Sequence, residues 1–351
     1  MRDALIDTMK GAGQPGELCT FPDGTEVLVL AHGGRILGLF APGSSRNLLW
    51  TNPALDSAAT ARAFFGSEQW HNSGGDRTWL APEVDFFFPD YPDMKRYWQP
   101  RQLDPGAYRL SQTEFGVSLA NRLSARLSRS REEVDLTIVR TVSPAADPLR
   151  HEHLITTSGI AYAGYTLRTS LEWNSERAGT SPVGLWNLLQ LPHGGELLIP
   201  THGRTQPRAY FGTIPDDDLH AGDNLVRYRM RAPGEQKIGI RAAAATGRMA
   251  YRHQTADGHW ELVVRNVFVN PSGHYVDIPW NGPAEPGDAL QACNVNSGLG
   301  QFSEMEYHVP AIGPGTGLFF VEDVSQVWAY RGTREQIDDV TRALVTAECS
   351  S

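Results

Sequence analysis

Residues Thr25–Phe40 read TEVLVLAHGGRILGLF. Two apolar runs with strand-like alternation flank a Gly33-Gly34 pair, which is the composition of a tight hairpin. The same period-2 pattern returns outward from there. It covers Glu133–Val142, His151–Thr157, Tyr162–Trp173, Gly184–Gln190, Glu196–Pro200, Lys237–Ala242, Arg248–Arg252, Trp260–Val269, Glu304–Val309 and Gly317–Val321. Gly, Pro, Asn and Asp fill the connections, and few helical windows separate the runs. Such a series predicts an all-β chain, a large antiparallel sandwich rather than βαβ units. At 351 residues, 40% of them hydrophobic, the chain can bury a core of that size as one unit.

Helices are expected at the ends and in one insertion. MRDALIDTMKGAG reads as a short amphipathic lead-in within residues 1–20, and Ser57–Phe65 as a second helix. In Thr333–Cys349, Ile337, Val340, Leu344 and Val345 recur at helical spacing, and Thr333 with Gln336 offers a capping box. The expected organisation is a sandwich over residues 21–331, with residues 332–351 as a C-terminal helix packed on it.

Several classes of function are disfavoured. The net charge of −9 repels phosphate backbones and anionic membrane surfaces, so neither nucleic acid nor membrane is an expected partner. No window is apolar over the roughly 18 residues that a membrane-spanning helix needs. The N-terminus lacks the apolar core of a signal peptide. Cys19, Cys293 and Cys349 are odd in number and have no metal-ligand spacing, which points to a reducing cytoplasm. Nucleophile-elbow, phosphate-loop and HExxH patterns are missing, and no cofactor is expected.

Four segments carry polar chemistry. Gln69–Glu83, QWHNSGGDRTWLAPE, gathers His71, Asp76, Arg77, Trp79 and Glu83 around Gly74-Gly75. Glycines there allow positive φ and close backbone approach. Polar groups beside indoles suit a sugar, whose hydroxyls need fixed partners and whose C–H face stacks on an aromatic ring. The alternative is a turn with Trp79 in the core and Asp76–Arg77 as a surface pair.

In the second segment, Asn294–Pro310, a strand over Glu304–Val309 places Glu304, Glu306 and His308 on one face. It follows what reads as a polar loop at Asn294 and Asn296. Two adjacent carboxylates drive their pKa values apart, as general acid–base work requires. The alternative is an edge strand with a solvated charged face. In the third segment, Leu185–Thr201, His193 stands before Gly194-Gly195 and reads as a proton donor or a solvated loop histidine. In the fourth, His151 and His153 share a strand face and offer two ligands to a metal, with no third nearby. No metal site is therefore assigned.

Gly33–Ile36, Asn47–Pro53 (NLLWTNP) and Gly74–Glu83 (GGDRTWLAPE) resemble, in that order, uncharacterised members of the galactose mutarotase-like superfamily. Later pieces continue the likeness: Leu185-Trp186, Gln190–Pro192, Gly194–Glu196, Ile199–Thr201 and Phe302–Pro310. It spans roughly residues 20–325. The resemblance implies a β-supersandwich with a sugar-sized cleft on its concave face.

In aldose 1-epimerases of that superfamily a glutamate takes the anomeric hydroxyl proton and a histidine protonates the ring oxygen. Carried to this chain, Glu304 or Glu306 is the base and His193 or His71 the acid. Asp76, Arg77, Trp79, Glu83, Trp186, Asn294 and His308 would bind substrate. The usual pair of epimerase histidines is not found at matching positions. The expected partner is a small sugar or sugar-like molecule, and the chain a monomer or homodimer. Mutarotation is the default reaction. The rivals are proton abstraction next to a carbonyl with elimination or isomerisation, and a non-catalytic carbohydrate-binding protein.

Overall fold

Alternation becomes architecture in the computed structural model, which describes residues 2–152, 158–174, 180–280 and 286–345. Helix α1 (Arg2–Gly11) leads into β1 (Glu17–Thr20), β2 (Glu26–Leu30) and β3 (Arg35–Phe40). Helix α2 (Ala58–Phe65) precedes β4 (Asp76–Ala81), and α3 (Glu83–Phe87) follows it. A meander comes next, with β5 (Arg109–Thr113), β6 (Gly116–Arg126), β7 (Glu133–Pro144) and β8 (Ala161–Trp173). Then follow β9 (Gly184–Pro192), β10 (Glu196–Pro200), β11 (Arg208–Phe211) and β12 (Leu219–Ala221). After these come β13 (Leu225–Arg229), β14 (Gly234–Arg241), β15 (Arg248–Gln254) and β16 (Trp260–Asn266). The chain ends through β17 (Asp288–Ser297), β18 (Gly300–His308), β19 (Phe320–Gly332) and α4 (Arg334–Leu344).

Two antiparallel sheets result. One has nine strands in the order β1-β2-β3-β4-β9-β18-β17-β14-β11. The other has ten, β12-β13-β10-β15-β16-β19-β8-β7-β6-β5. The main core lies between them, and Leu80, Leu189, Met305, Leu167 and Val327 are among its members. Removing each such side chain from water contributes roughly 1.5–3 kcal/mol.

Charge is buried in this layer too. Asp76, fully buried, accepts from Arg140 at 2.5 Å and from the Tyr165 hydroxyl at 2.7 Å, with Arg265 at 3.2 Å. Helix α4 closes the outer face of the ten-stranded sheet. Its Ile337, Val340 and Leu344 pack with Leu262, Trp328 and Tyr330, and both halves of the Thr333–Gln336 capping box form.

Several strands differ from those expected, and β1, β4, β5, β11, β12 and β13 were not expected at all. Gly317–Val321 is not a strand. Gly317 lies in a turn and β19 begins at Phe320, running on to Gly332 through residues that carry polar groups on the sheet's outer face. Asn294 and Asn296 belong to β17 and not to a loop. Strand β6 went unread although its burial alternates along its length. Of the expected strand His151–Thr157, His151 lies in a turn, and residues 153–157 are outside those described. The proposed His151/His153 pair therefore has one member outside the described residues.

Candidate functional site

The two faces of the nine-stranded sheet separate the polar residues by strand parity. Arg77 and Trp79 on β4, Trp186 and Leu188 on β9, Lys237 on β14, Cys293 and Val295 on β17, and Phe302, Glu304 and Glu306 on β18 all face away from the other sheet. They line a cavity of about 900 Å³. Loops and α3 raise its walls, bringing Glu83, Phe88, Met94, Tyr97, Trp98 and Trp280 to it. The Gly74-Gly75 pair before β4 is required by close approach. Both have positive φ, and a Cβ would lie 2.3 Å from the Trp50 carbonyl oxygen at Gly74 and 2.1 Å from that of Ile36 at Gly75.

Two carboxylates share the floor in different company. Glu304 Oε1 accepts from Arg77 Nη2 at 2.9 Å and from Gln190 Nε2 at 2.9 Å, and its other oxygen takes no hydrogen bond from the described residues. Arg77 is itself seated on indole, with its guanidinium carbon 4.1 Å from the Trp79 ring centre and 5.3 Å from that of Trp70. Both indole N–H groups donate to Asp104 Oδ2 at 3.0 Å, and that oxygen also receives Arg35 at 2.9 Å. One carboxylate thus fixes the aromatic cradle beneath the arginine.

Glu306 stands one pleat further along. Its Oε2 accepts from Trp186 Nε1 at 2.7 Å and faces Lys237 Nζ at 3.1 Å, while Oε1 is buried without a partner. Lys237 is also 3.5 Å from Glu83 Oε2 and stacks 4.2 Å from the Trp186 ring centre. Glu83 receives the Tyr97 hydroxyl at 2.8 Å and Trp280 Nε1 at 3.0 Å.

Burial is the largest influence on Glu306 and pushes its carboxyl up to about 7. Lys237 opposes the rise, while Glu304 and Glu83 add to it. Burial raises Glu83 as well, against the pull of Lys237. Cys293 Sγ and one oxygen each of Glu304 and Glu306 lie within 4.8 Å of one another. Burial holds that thiol well above its ordinary pKa, so it is a neutral wall and not a nucleophile.

The remaining sequence candidates are placed elsewhere. Asp76 points between the sheets because its neighbour Arg77 points into the cavity. Asn294 is on the same far face, donating to Ala232 O at 3.0 Å and Gln236 Oε1 at 2.6 Å. His193 also meets Asn294 and the Ala232 backbone there, so it is not among the cavity's lining residues. His71 is behind the wall. Its Nδ1 meets His32 Nε2 at 3.0 Å, its Nε2 meets the Ser67 carbonyl at 3.0 Å, and its ring packs against Phe64 and Phe65. Neither histidine reaches the carboxylates as a proton donor. His308 shares the face of Glu304 and Glu306 but lies beneath the lining, stacked at 5.7 Å on Trp186. Burial and Lys237 lower its pKa well below the ordinary value, so it is a neutral ring.

The sequence reading missed Lys237, Tyr97, Trp280, Gln190 and Asp104. Lys237 alternates with Gln236 and Ile238 in a strand, and a lysine there reads as solvent-facing until the partner strands are known.

A sandwich of two large antiparallel sheets with a polar-floored, aromatic-walled cavity on one of them defines the class. The sequence profile of the family of unknown function DUF6786 matches residues 52–350, and the chain belongs to that family. No curated protein matches it at a significant level. Among solved structures, the Slr1438 protein of Synechocystis sp. PCC 6803 is 12% identical with a TM-score of 0.50, over 92% of this chain and 96% of that one. A galactose mutarotase-like protein from Lactobacillus casei ATCC 334 is 10% identical with a TM-score of 0.49, over 89% and 100%. A galactose mutarotase related enzyme from Lactobacillus acidophilus is 10% identical with a TM-score of 0.48, over 91% and 98%. Identities this low speak of fold and not of chemistry. No described helix is long and apolar enough to cross a membrane.

Proposed function

We propose that the protein is a general acid–base enzyme acting on a carbohydrate or similar hydroxylated ring, with mutarotation as the default reaction. The observation that carries this reading is the unequal pair on β18. Glu304 is held by two donors and keeps a free oxygen, while Glu306 retains a proton to about pH 7. Carboxyl groups whose environments set them apart are suited to act as base and acid in one step. In mutarotation Glu304 takes the anomeric hydroxyl proton and Glu306 gives its proton to the ring oxygen. The bond from the anomeric carbon to the ring oxygen breaks, leaving an open-chain aldehyde. Rotation about the adjacent C–C bond and the reverse transfers return both protons and close the other anomer.

Buried polar atoms without protein partners complete the reading. They include Glu306 Oε1, Arg77 Nε and Nη1, and both amide atoms of Asn72. Such atoms are costly when unpaired, and a polyhydroxylated ligand supplies both donors and acceptors. Glu304→Gln and Glu306→Gln keep the size of each side chain and an oxygen for its donors. Each is expected to lower turnover at least about 100-fold, the lower end of what general acid–base groups contribute, with the circular-dichroism spectrum unchanged. Full turnover in both variants on a saccharide that the wild type converts refutes the assignment.

One observation favours a second reaction at the same base. The free Nε and Nη1 of Arg77, beside Glu304, suit the oxygen of an enolate. Abstraction next to a carbonyl would then give elimination or isomerisation. Incorporation of carbon-bound deuterium from heavy water distinguishes it from mutarotation, which exchanges only hydroxyl protons.

A further inference from the structure

Among the described residues, seven charged ones line the cavity: Glu68, Glu83, Glu235, Glu304 and Glu306 against Arg77 and Lys237. Both cations are already matched among the described residues, Arg77 by Glu304 and Lys237 by Glu83, even while Glu306 holds its proton. Among the described residues no positive charge is left over for a phosphate or a uronate, so the ligand that fits is neutral. The cavity is also larger than one ring needs. Its 900 Å³ lies near the top of the roughly 300–1,000 Å³ range of small-molecule sites, whereas a single hexose has about a dozen non-hydrogen atoms.

The volume is divided by chemistry. The floor holds the hydrogen-bonded carboxylates. The outer wall presents flat or apolar surface from four separate segments: Trp98, Trp280, Phe211 and Leu299. Trp98 is 42% exposed and Leu299 49%, a large apolar outlay at the mouth of a polar site. Asn72 is 3% exposed and also lines the cavity, with both amide atoms unpartnered among the described residues. A buried amide of that kind is a fixed donor and acceptor for a hydroxyl pair.

Building on the acid–base reading above, we propose that the cavity is a site for two or more sugar rings. The floor takes the reducing ring, and the wall of Trp98, Trp280 and Phe211, with Asn72, takes a further neutral ring. The substrate class is then a neutral reducing oligosaccharide. The exposed Trp98 indole stacks on the C–H face of the second ring, and the floor leaves the anomeric hydroxyl of the first one free to react.

The test is titration calorimetry with a panel of neutral mono-, di- and trisaccharides of glucose and galactose, with glucose 6-phosphate as the anionic probe. The wild type is expected to bind at least one di- or trisaccharide about tenfold more tightly than its reducing monosaccharide, and glucose 6-phosphate more weakly than glucose. Trp98→Ala, an exposed position, should erase most of that tenfold advantage. Leu299→Asp is a second rim variant expected to do the same. Monosaccharides that bind as tightly as every longer sugar overturn the two-ring site and leave the acid–base reading standing, as does an advantage that survives both rim variants. Tighter binding of glucose 6-phosphate overturns the neutral-ligand argument. No binding by any sugar of the panel overturns both.

Discussion

Replacing Lys237 by Met tests the electrostatics of the floor. Lys237 Nζ is 3.1 Å from Glu306 and 3.5 Å from Glu83, and all three groups are buried. Met keeps the chain length that packs on Trp186 and removes the charge. Burial raises the Glu306 carboxyl from 4.5 to about 7 in the folded protein. A carboxyl with a raised folded pKa destabilises the fold progressively as pH climbs from the unfolded value to the folded one, and by a constant amount above it. In the wild type this loss runs from about pH 4.5 to about 7 and then stops. Without the lysine the folded pKa moves higher, so the loss continues at about 1.4 kcal/mol for each further pH unit. At about pH 8.5, some 1.5 units beyond the wild-type end point, the variant should lie up to about 2 kcal/mol further below the wild type than at pH 6. Urea unfolding followed by tryptophan fluorescence at the two pH values measures this directly. A difference between variant and wild type that stays constant within about 0.5 kcal/mol from pH 6 to 8.5 refutes the coupling.

Other outcomes follow from the same geometry. If Glu306 is the acid, kcat/KM falls about tenfold per pH unit above about 7, since the acid must hold its proton, and Glu306→Gln flattens that limb. A profile still rising through pH 8 contradicts the role. His193→Ala should leave kcat within about threefold, because the residue lies away from the cavity. His71→Gln should lower the melting temperature by breaking the contact with His32 while sparing kcat; a large kcat loss in either variant would restore a histidine acid.

Local pattern carried the sandwich because alternation on single strands is enough to define it. The hairpin of β2 and β3, the strands β7 to β10 and helix α4 follow from their own residues. The same local logic put Glu304 and Glu306 on one face. It also held information that the reading did not use. Arg77 and Trp79 share a face, so Asp76 cannot join them, and once β17 pairs with β18, Cys293 and not Asn294 faces the cavity. What no local pattern reveals is convergence. Lys237 meets Glu83 across 154 residues of chain, Asp104 meets two tryptophans from another loop, and Trp280 reaches Glu83 from still further away. Histidines outside the strands carry no directional signal, which is why His71 and His193 read as acids and lie outside the site.

The proposed role of Glu304 and Glu306 is to move protons on a bound sugar ring. Exchange NMR between the α and β anomers of a reducing saccharide that binds the protein tests it most directly. Anomer exchange is expected to accelerate in proportion to wild-type enzyme, and to fall at least about 100-fold in Glu304→Gln with binding retained. Saccharide binding without any acceleration of exchange, or acceleration undiminished in Glu304→Gln, would contradict it.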